Sequence, residues 1–255
     1  MKRGAYLLPS SLTLVNLGFG FFSIIQSING NYAVAALAII FGHIADIIDG
    51  IVARMTKSTS TFGLEFDSFA DWITFGIAPA ILMYQLILHN YGKLGFGIAL
   101  IFVIFGSWRL AKFNIKAIEG SYNGYFVGLP IPAAGGILAA IVLIYDLSQR
   151  TSTAKTIPII MNTVPFIMKG IPVIIFILSL LMISQIRFFS TKQTRLFRPR
   201  SLRSMVFLVI AGLLMYAYPQ NFTFILYIAY IVWGLFGYIM RLYRLRRKSH
   251  EPAEQ

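Results

Sequence analysis

Long apolar stretches, separated by short polar or charged stretches, run along almost the whole chain. Segments such as 171–186 and 222–240 contain very few polar side chains. A helix needs about 20 mainly apolar residues to cross a bilayer. The pattern therefore predicts an all-α, polytopic membrane protein of about eight transmembrane helices, at 11–28, 32–53, 66–88, 94–113, 129–146, 171–187, 203–218 and 222–241.

The segment 151–170 fits this pattern poorly. Its apolar runs are interrupted by Pro158 and Pro165, and proline inside a helix removes a hydrogen bond and creates a clash. We expect an outer loop or an interfacial piece here rather than another membrane span.

Composition agrees with a membrane protein, and the charges predict its orientation. Hydrophobic residues make up 57% of the chain, against about 45–50% in soluble domains, and the mean hydropathy is +0.74. The net charge of +13 is also compatible with a nucleic-acid binder. With both termini inside, however, all but four of the 22 Lys and Arg residues lie on the inner side, the exceptions being Lys93, Arg150, Lys155 and Lys169. This asymmetry is typical of multi-pass proteins of a cell (inner) membrane. It predicts a lipid bilayer as partner and no nucleic acid.

Acidic residues are rare, and five of the nine fall between positions 46 and 71. On the second predicted helix, at 100° per residue, one face of about 140° carries Asp46, Asp49, Gly50, Ala53 and Arg54. Carboxylates are costly near a bilayer core and usually face a cavity, a partner or an ion. This face therefore combines two acids, two small residues and a cation.

The third predicted helix presents a second acidic face. Gly63, Asp67 and Asp71 follow one another at four-residue steps, so they lie along one side of a helix. The polar linker 55–62 predicts a short turn on the inner side of the membrane, which brings the two acidic faces together.

Four converging carboxylates would repel each other unless cations compensate them. Oxygen ligands select hard ions such as Mg²⁺ or Mn²⁺, and Mg²⁺ commonly also binds substrate phosphates. Gly50 and Ala53 leave room for a substrate, and Arg54 can form a fork on a phosphate. The hypothesis is an intramembrane site for a diphosphate substrate. The plainer alternative, polar contacts between helices, explains four acids at paired spacing less well.

These residues also carry a family resemblance. The string D-x2-D-G-x2-A-R-x8-G-x3-D-x3-D, from Asp46 to Asp71, is identified as the signature of the CDP-alcohol phosphotransferases. The resemblance implies a metal-dependent, homodimeric enzyme of phospholipid synthesis that displaces CMP from a CDP-linked lipid or alcohol. It further implies that two Mg²⁺ or Mn²⁺ ions are held by four aspartates, of which Asp71 is also the general base: Asp46, Asp49, Asp67 and Asp71.

Other stretches resemble the membrane-embedded phosphatidylserine synthases of bacteria and archaea within this family. They are 8–16, 109–114, 128–134 and 181–184, the last followed by Arg187 and Lys192. The chain departs from the usual pattern at Ser10 and Lys112. The resemblance implies transfer of a phosphatidyl group from CDP-diacylglycerol to L-serine. From the chain itself we expect one transmembrane catalytic domain, 1–243, and a basic and polar tail without fixed structure at 244–255.

Substrate contacts can be assigned to residues near the acidic window. For CDP-diacylglycerol, the expected contacts are Thr13, Asn16, Gly50, Ala53, Arg54 and Gly63. Thr13 and Asn16 are polar residues on a spanning helix, and their alternative role is to bond neighbouring helices. For the serine carboxylate and hydroxyl, the expected contacts are Arg109 and Asn114. The alternative for Arg109 is the general excess of basic residues on the inner side of a membrane protein.

Three other functions compete with serine transfer. A related enzyme would use glycerol 3-phosphate or an inositol phosphate as acceptor, which requires additional cations for the extra phosphate. An ion or proton transporter would distribute its carboxylates through the membrane depth and often shows an inverted repeat; neither feature is visible in the sequence. A basic adaptor protein leaves the acidic window unexplained.

Overall fold

The computed structural model describes residues 7–56, 61–118, 125–149, 158–189 and 219–249, and the chain in these ranges is helical almost throughout. The α-helices are α1 (Leu7–Ile28), α2 (Tyr32–Thr56), α3 (Thr61–Asp71), α4 (Ala78–Leu86), α5 (Gly92–Ile118), α6 (Ile131–Gln149), α7 (Pro158–Lys169), α8 (Ile171–Ile183) and α9 (Pro219–Ser249). A π-helical segment, Trp72–Ile77, joins α3 to α4, and a 3₁₀ turn, Leu88–Tyr91, precedes α5.

Six helical segments of the described chain are long and apolar enough to cross a membrane, or seven if α7 and α8 form one bent span. The six segments correspond to six of the eight predicted spans, α8 lies within a seventh, 171–187, and the eighth, 203–218, lies outside the described residues. Many large apolar side chains of α1, α2, α5, α8 and α9 face outward, as expected of surfaces that contact lipid rather than water. The prediction of an all-α, polytopic membrane protein is confirmed.

The region in which the prolines predicted an outer loop or an interfacial piece contains a helix. α7 includes Pro165 within its length, and a bend of 71° separates Asn162–Lys169 from α8. Of the two expected alternatives, the outer loop is therefore wrong for 158–169. The alternative of an interfacial piece remains compatible with a short helix that meets α8 at a steep angle.

α6 is the centre of the bundle, and nearly all its side chains are buried. It packs against α2, α9 and the π-helical segment. At Gly135 the helix approaches the backbone of the π-helical segment so closely that a Cβ atom would lie 2.6 Å from the carbonyl oxygen of Phe75. Only glycine allows that contact without a shift of one backbone.

The π-helical segment follows directly after Asp71. At its end the N–H of Ala78, the first residue of α4, reaches the carbonyl of Ile73, five residues earlier. Pro79, at the start of α4, has no N–H to offer the carbonyl four residues before it, which favours local widening of the helix. The segment thus keeps α3 and α4 in one spanning helix while changing the direction in which side chains beyond Asp71 point.

A two-stranded antiparallel ribbon, which the sequence pattern did not predict, connects distant parts of the chain. Strand β1 (Tyr125–Val127) pairs with β2 (Arg187–Phe189). Gly128 follows β1 with a φ of +82°, and its N–H donates to the carbonyl of Ile186 at 2.8 Å. Glycine adopts this left-handed conformation without strain. The ribbon therefore links the beginning of α6 to the end of α8.

The last helix extends beyond the predicted catalytic domain. α9 continues past residue 243 as far as Ser249, so the expectation of an unstructured tail was wrong for 244–249. Arg, Leu and Lys, which dominate this stretch, are good helix formers. Residues 250–255 lie outside the described part of the structure. The boundary between the catalytic domain and the tail, at residue 243, stays a prediction.

The close approach at Gly135 generates a stability prediction. Gly135→Ala should lower the thermal midpoint of the detergent-solubilised protein, because the new methyl group cannot fit against the Phe75 backbone. The matched control is Gly97→Ala on α5, where no atom lies within 4 Å of the added Cβ. Alanine should be neutral or slightly stabilising there, since it is the better helix former by roughly 1 kcal/mol. Equal midpoints for the two variants would contradict the proposed packing.

Candidate metal and phosphate site

Three of the predicted carboxylates meet where α2 and α3 come together. Asp46 of α2 and Asp67 and Asp71 of α3 each offer one oxygen, and these oxygens lie within 4.8 Å of one another. The helical spacing explains this arrangement, because Asp67 and Asp71 lie one turn apart on the same side of α3. The structure thus confirms that the hairpin brings its two acidic faces together.

Asp49 takes a different position from the other three. It lies one turn after Asp46, its side chain is only 6% exposed, and its Oδ2 accepts a hydrogen bond from the hydroxyl of Thr13. Its Oδ1 is buried and has no hydrogen-bond partner among the described residues. Asp49 is therefore on the expected helix face but is not part of the three-carboxylate group, and its role as a ligand stays a prediction.

The arrangement fits a hard divalent cation. Asp71 experiences repulsion from both Asp46 and Asp67, and a cation bound among the three would remove that repulsion. Carboxylate oxygens are the ligands that Mg²⁺ and Mn²⁺ prefer. The buried Oδ1 of Asp49, which lacks a partner in the described chain, is a further oxygen that such an ion can satisfy.

Polar residues of α1 face both arms of the hairpin. The side-chain amide of Asn16 donates to Oδ1 of Asp71 at 3.2 Å. The hydroxyl of Thr13 likewise donates to Oδ2 of Asp49. The hydroxyl of Thr74, in the π-helical segment, donates to the backbone carbonyl of Asn16 at 2.9 Å. Of the two roles that the sequence left open for Thr13 and Asn16, the structure shows the bonding of neighbouring helices.

The small residues of the signature remain accessible. Gly50 and Ala53 on α2 and Gly63 on α3 are all partly exposed. Because none of them has a side chain larger than a methyl group, they do not cover the helix surface beside the carboxylates. The backbone of Arg54 belongs to α2, while its side chain lies outside the described part of the structure. The contacts predicted between these residues and CDP-diacylglycerol stay predictions.

The two predicted serine contacts differ in position. Arg109 on α5 is only 7% exposed, and its positive charge interacts favourably with Asp71. Asn114 is also buried, but its amide lies 2.9 Å from the hydroxyl of Ser68 and 3.2 Å from Glu65. Glu65 lies about 160° from Asp67 around α3, and Ser68 lies between Glu65 and Asp71. Arg109 is thus within electrostatic reach of Asp71, whereas Asn114 joins α5 to α3.

Sequence reasoning missed two polar residues that support this region. Thr74 lies in the π-helical segment that follows α3, and its hydroxyl donates to the backbone carbonyl of Asn16 in α1. Tyr227 of α9 forms a hydrogen bond with His43, which lies one turn before Asp46 on α2. Both are isolated polar groups in apolar segments, which is a signal of a specific buried partner, but the sequence does not identify that partner.

Comparison with known proteins agrees with the site. The family model described as CDP-alcohol phosphatidyltransferase matches residues 6–168. A protein of Helicobacter pylori named CDP-diacylglycerol–serine O-phosphatidyltransferase is 30% identical over 97% of this chain and 98% of its own length. A protein of the same name from Bacillus subtilis is 38% identical over 54% of this chain and 77% of its own length. An archaetidylserine synthase of Methanothermobacter thermautotrophicus is 35% identical over 53% of this chain and 58% of its own length.

The matched region contains the acidic hairpin, the α1 residues that contact it and Arg109. More than half of the chain matches the family model, and one relative matches nearly end to end. The chain therefore belongs to the CDP-alcohol phosphatidyltransferase family.

Proposed function

We propose that this membrane protein transfers the phosphatidyl group of CDP-diacylglycerol to the hydroxyl of L-serine, which yields phosphatidylserine and CMP. The observation that carries the proposal is the meeting of Asp46, Asp67 and Asp71, with the cation Arg109 beside Asp71. The printed names of the relatives support serine as the acceptor. A family match alone would leave the acceptor open.

The proposal includes two Mg²⁺ or Mn²⁺ ions held by the aspartates at 46, 49, 67 and 71. When bound, they would neutralise charge on the diphosphate and on the departing CMP. The partly exposed Gly50, Ala53 and Gly63 allow the substrate to approach the helix backbones. Arg54 would contribute a two-pronged contact to a phosphate.

Proton transfer is assigned to Asp71. The serine hydroxyl attacks the phosphorus that carries the lipid, the bond from this phosphorus to the CMP oxygen breaks, and the hydroxyl proton passes to Asp71. Oδ1 of Asp71 accepts a hydrogen bond from Asn16, which helps to fix the orientation of the carboxylate that takes the proton. No covalent enzyme intermediate is invoked, because one direct displacement balances the reaction.

Binding of serine is assigned chiefly to Arg109. A buried guanidinium next to the reacting carboxylate can hold the carboxylate of serine with two parallel hydrogen bonds and place its hydroxyl near Asp71. Asn114 contributes in this proposal through its contacts to α3, which fix the end of α5 beside the site. We further propose that the enzyme is a homodimer of the cell (inner) membrane whose site faces the cytoplasm, as the distribution of Lys and Arg suggests.

The choice of acceptor can be tested with purified protein. Incubation with CDP-diacylglycerol and Mn²⁺ should release CMP with L-serine, and much less with glycerol 3-phosphate or an inositol phosphate, because Arg109 matches one carboxylate rather than an additional phosphate. CMP is measured by chromatography and the lipid product by mass spectrometry. Greater release with a phosphorylated acceptor would overturn the serine assignment, and ion flux through proteoliposomes without CMP release would favour a transporter.

The role of Asp71 can be tested with Asp71→Asn. The amide keeps the shape of the side chain but cannot accept the proton, so turnover should fall by about 100-fold or more. Binding of CDP-diacylglycerol, measured by calorimetry in detergent, should largely persist.

The matched control is Asp146→Asn at the far end of α6, beside the loop between α1 and α2. It changes an acid to its amide away from the site and should leave the rate unchanged. Near-normal turnover in Asp71→Asn would show that another group takes the proton.

The role of Arg109 can be tested with Arg109→Gln. Loss of a charged hydrogen-bond donor should raise the KM for serine by roughly 10- to 100-fold, and the KM for CDP-diacylglycerol should change much less. Lys112→Gln, an exposed cation one turn further along α5, is the control and should leave both constants unchanged. If the KM for CDP-diacylglycerol rises instead, Arg109 contacts the diphosphate rather than serine.

A further inference from the structure

We propose that α1 determines the orientation of the metal-binding carboxylates: Thr13 and Asn16 are positioning residues that act through Asp49 and Asp71, not contacts for the nucleotide. This inference rests on the metal site of the proposed function. It assigns the two α1 residues a role different from the one that their sequence position alone suggested.

The first observation is the pair formed by Thr13 and Asp49. Thr13 is 4% exposed and Asp49 is 6% exposed, and the threonine hydroxyl donates to Oδ2 of the carboxylate. A carboxylate buried to this extent requires hydrogen-bond donors. The contact therefore commits one oxygen of Asp49 to α1 and leaves Oδ1 as the oxygen that can serve an ion.

The second observation is the pair formed by Asn16 and Asp71. Asn16 is completely buried, and its amide donates to Oδ1 of Asp71. Its backbone carbonyl is in turn held by Thr74, which fixes α1 against the helix that carries Asp71. An amide without solvent exposure whose N–H points at a carboxylate is poorly placed to read a nucleotide.

The two pairs act from one side of a single helix. Thr13 and Asn16 are three residues apart, so their side chains lie on the same face of α1, and they reach one carboxylate in each arm of the hairpin. Rotation or displacement of α1 would therefore disturb both arms together. Donors that orient metal ligands in this way commonly change metal affinity by about 10- to 100-fold when they are removed.

The test measures Mn²⁺ binding to the purified full-length protein without either substrate. Free Mn²⁺ is followed by its electron paramagnetic resonance signal during titration. Thr13→Val removes the hydroxyl at nearly constant volume, and Asn16→Leu removes the amide. Each should weaken Mn²⁺ binding by about tenfold or more. Thr13→Ser keeps a hydroxyl and should restore most of the affinity.

The control is Ser27→Ala on the same helix. Ser27 is buried, and its hydroxyl donates to the carbonyl of Ser23. The variant thus loses a comparable buried hydroxyl bond, but far from the carboxylates, and should bind Mn²⁺ like the wild type.

Kinetics separate positioning from direct contact. If Thr13 and Asn16 position carboxylates, the Mn²⁺ concentration needed for half-maximal activity rises, while the KM for CDP-diacylglycerol at saturating Mn²⁺ stays near the wild-type value. Unchanged Mn²⁺ affinity together with a raised KM for CDP-diacylglycerol would overturn the inference and establish direct substrate contact. A wild-type protein that binds no Mn²⁺ would overturn the metal site and this inference together. Failure of serine as acceptor would refute only the proposed reaction.

Discussion

Repulsion among carboxylates that meet in an apolar bundle is the constraint on which the rest of the site depends. Oxygens of Asp46, Asp67 and Asp71 lie within 4.8 Å of one another, and membrane surroundings weaken the screening that water would provide. The compensating groups come from other helices: α1 supplies a hydrogen-bond donor to Asp71 and α5 supplies a buried guanidinium. The bundle therefore has to hold at least four helices in a fixed arrangement to make the hairpin stable and reactive.

The packing of the bundle serves the same requirement. Contact at Gly135 brings α6 against the π-helical segment that follows Asp71, and Thr74 of that segment holds α1. Where helices lack a hydrophobic driving force between them, close backbone contacts and interhelical hydrogen bonds are the principal means of association. Thr74 and Phe75, through which these two contacts reach the π-helical segment, thus lie within four residues of Asp71.

The sequence predicted the parts of the structure that depend on local periodicity. The lengths of the apolar runs predicted the positions of the described spans, and the four-residue spacing of Asp67 and Asp71 predicted that they lie on one side of α3. It did not predict the ribbon at Tyr125–Val127, because strands of three residues are too short for a pattern and depend on a partner far along the chain. Nor did it separate Asp49 from the other acids, since that separation follows from the contact with Thr13 on another helix.

The hydrogen bond between His43 and Tyr227 has a consequence for the order in which the bundle can be completed. Its two partners are 184 positions apart, and Tyr227 lies on α9. The imidazole, one turn before Asp46, gains this partner only once α9 has packed against the bundle. The surroundings of the acidic hairpin therefore depend on a contact of very long sequence separation, and such contacts form slowly during folding.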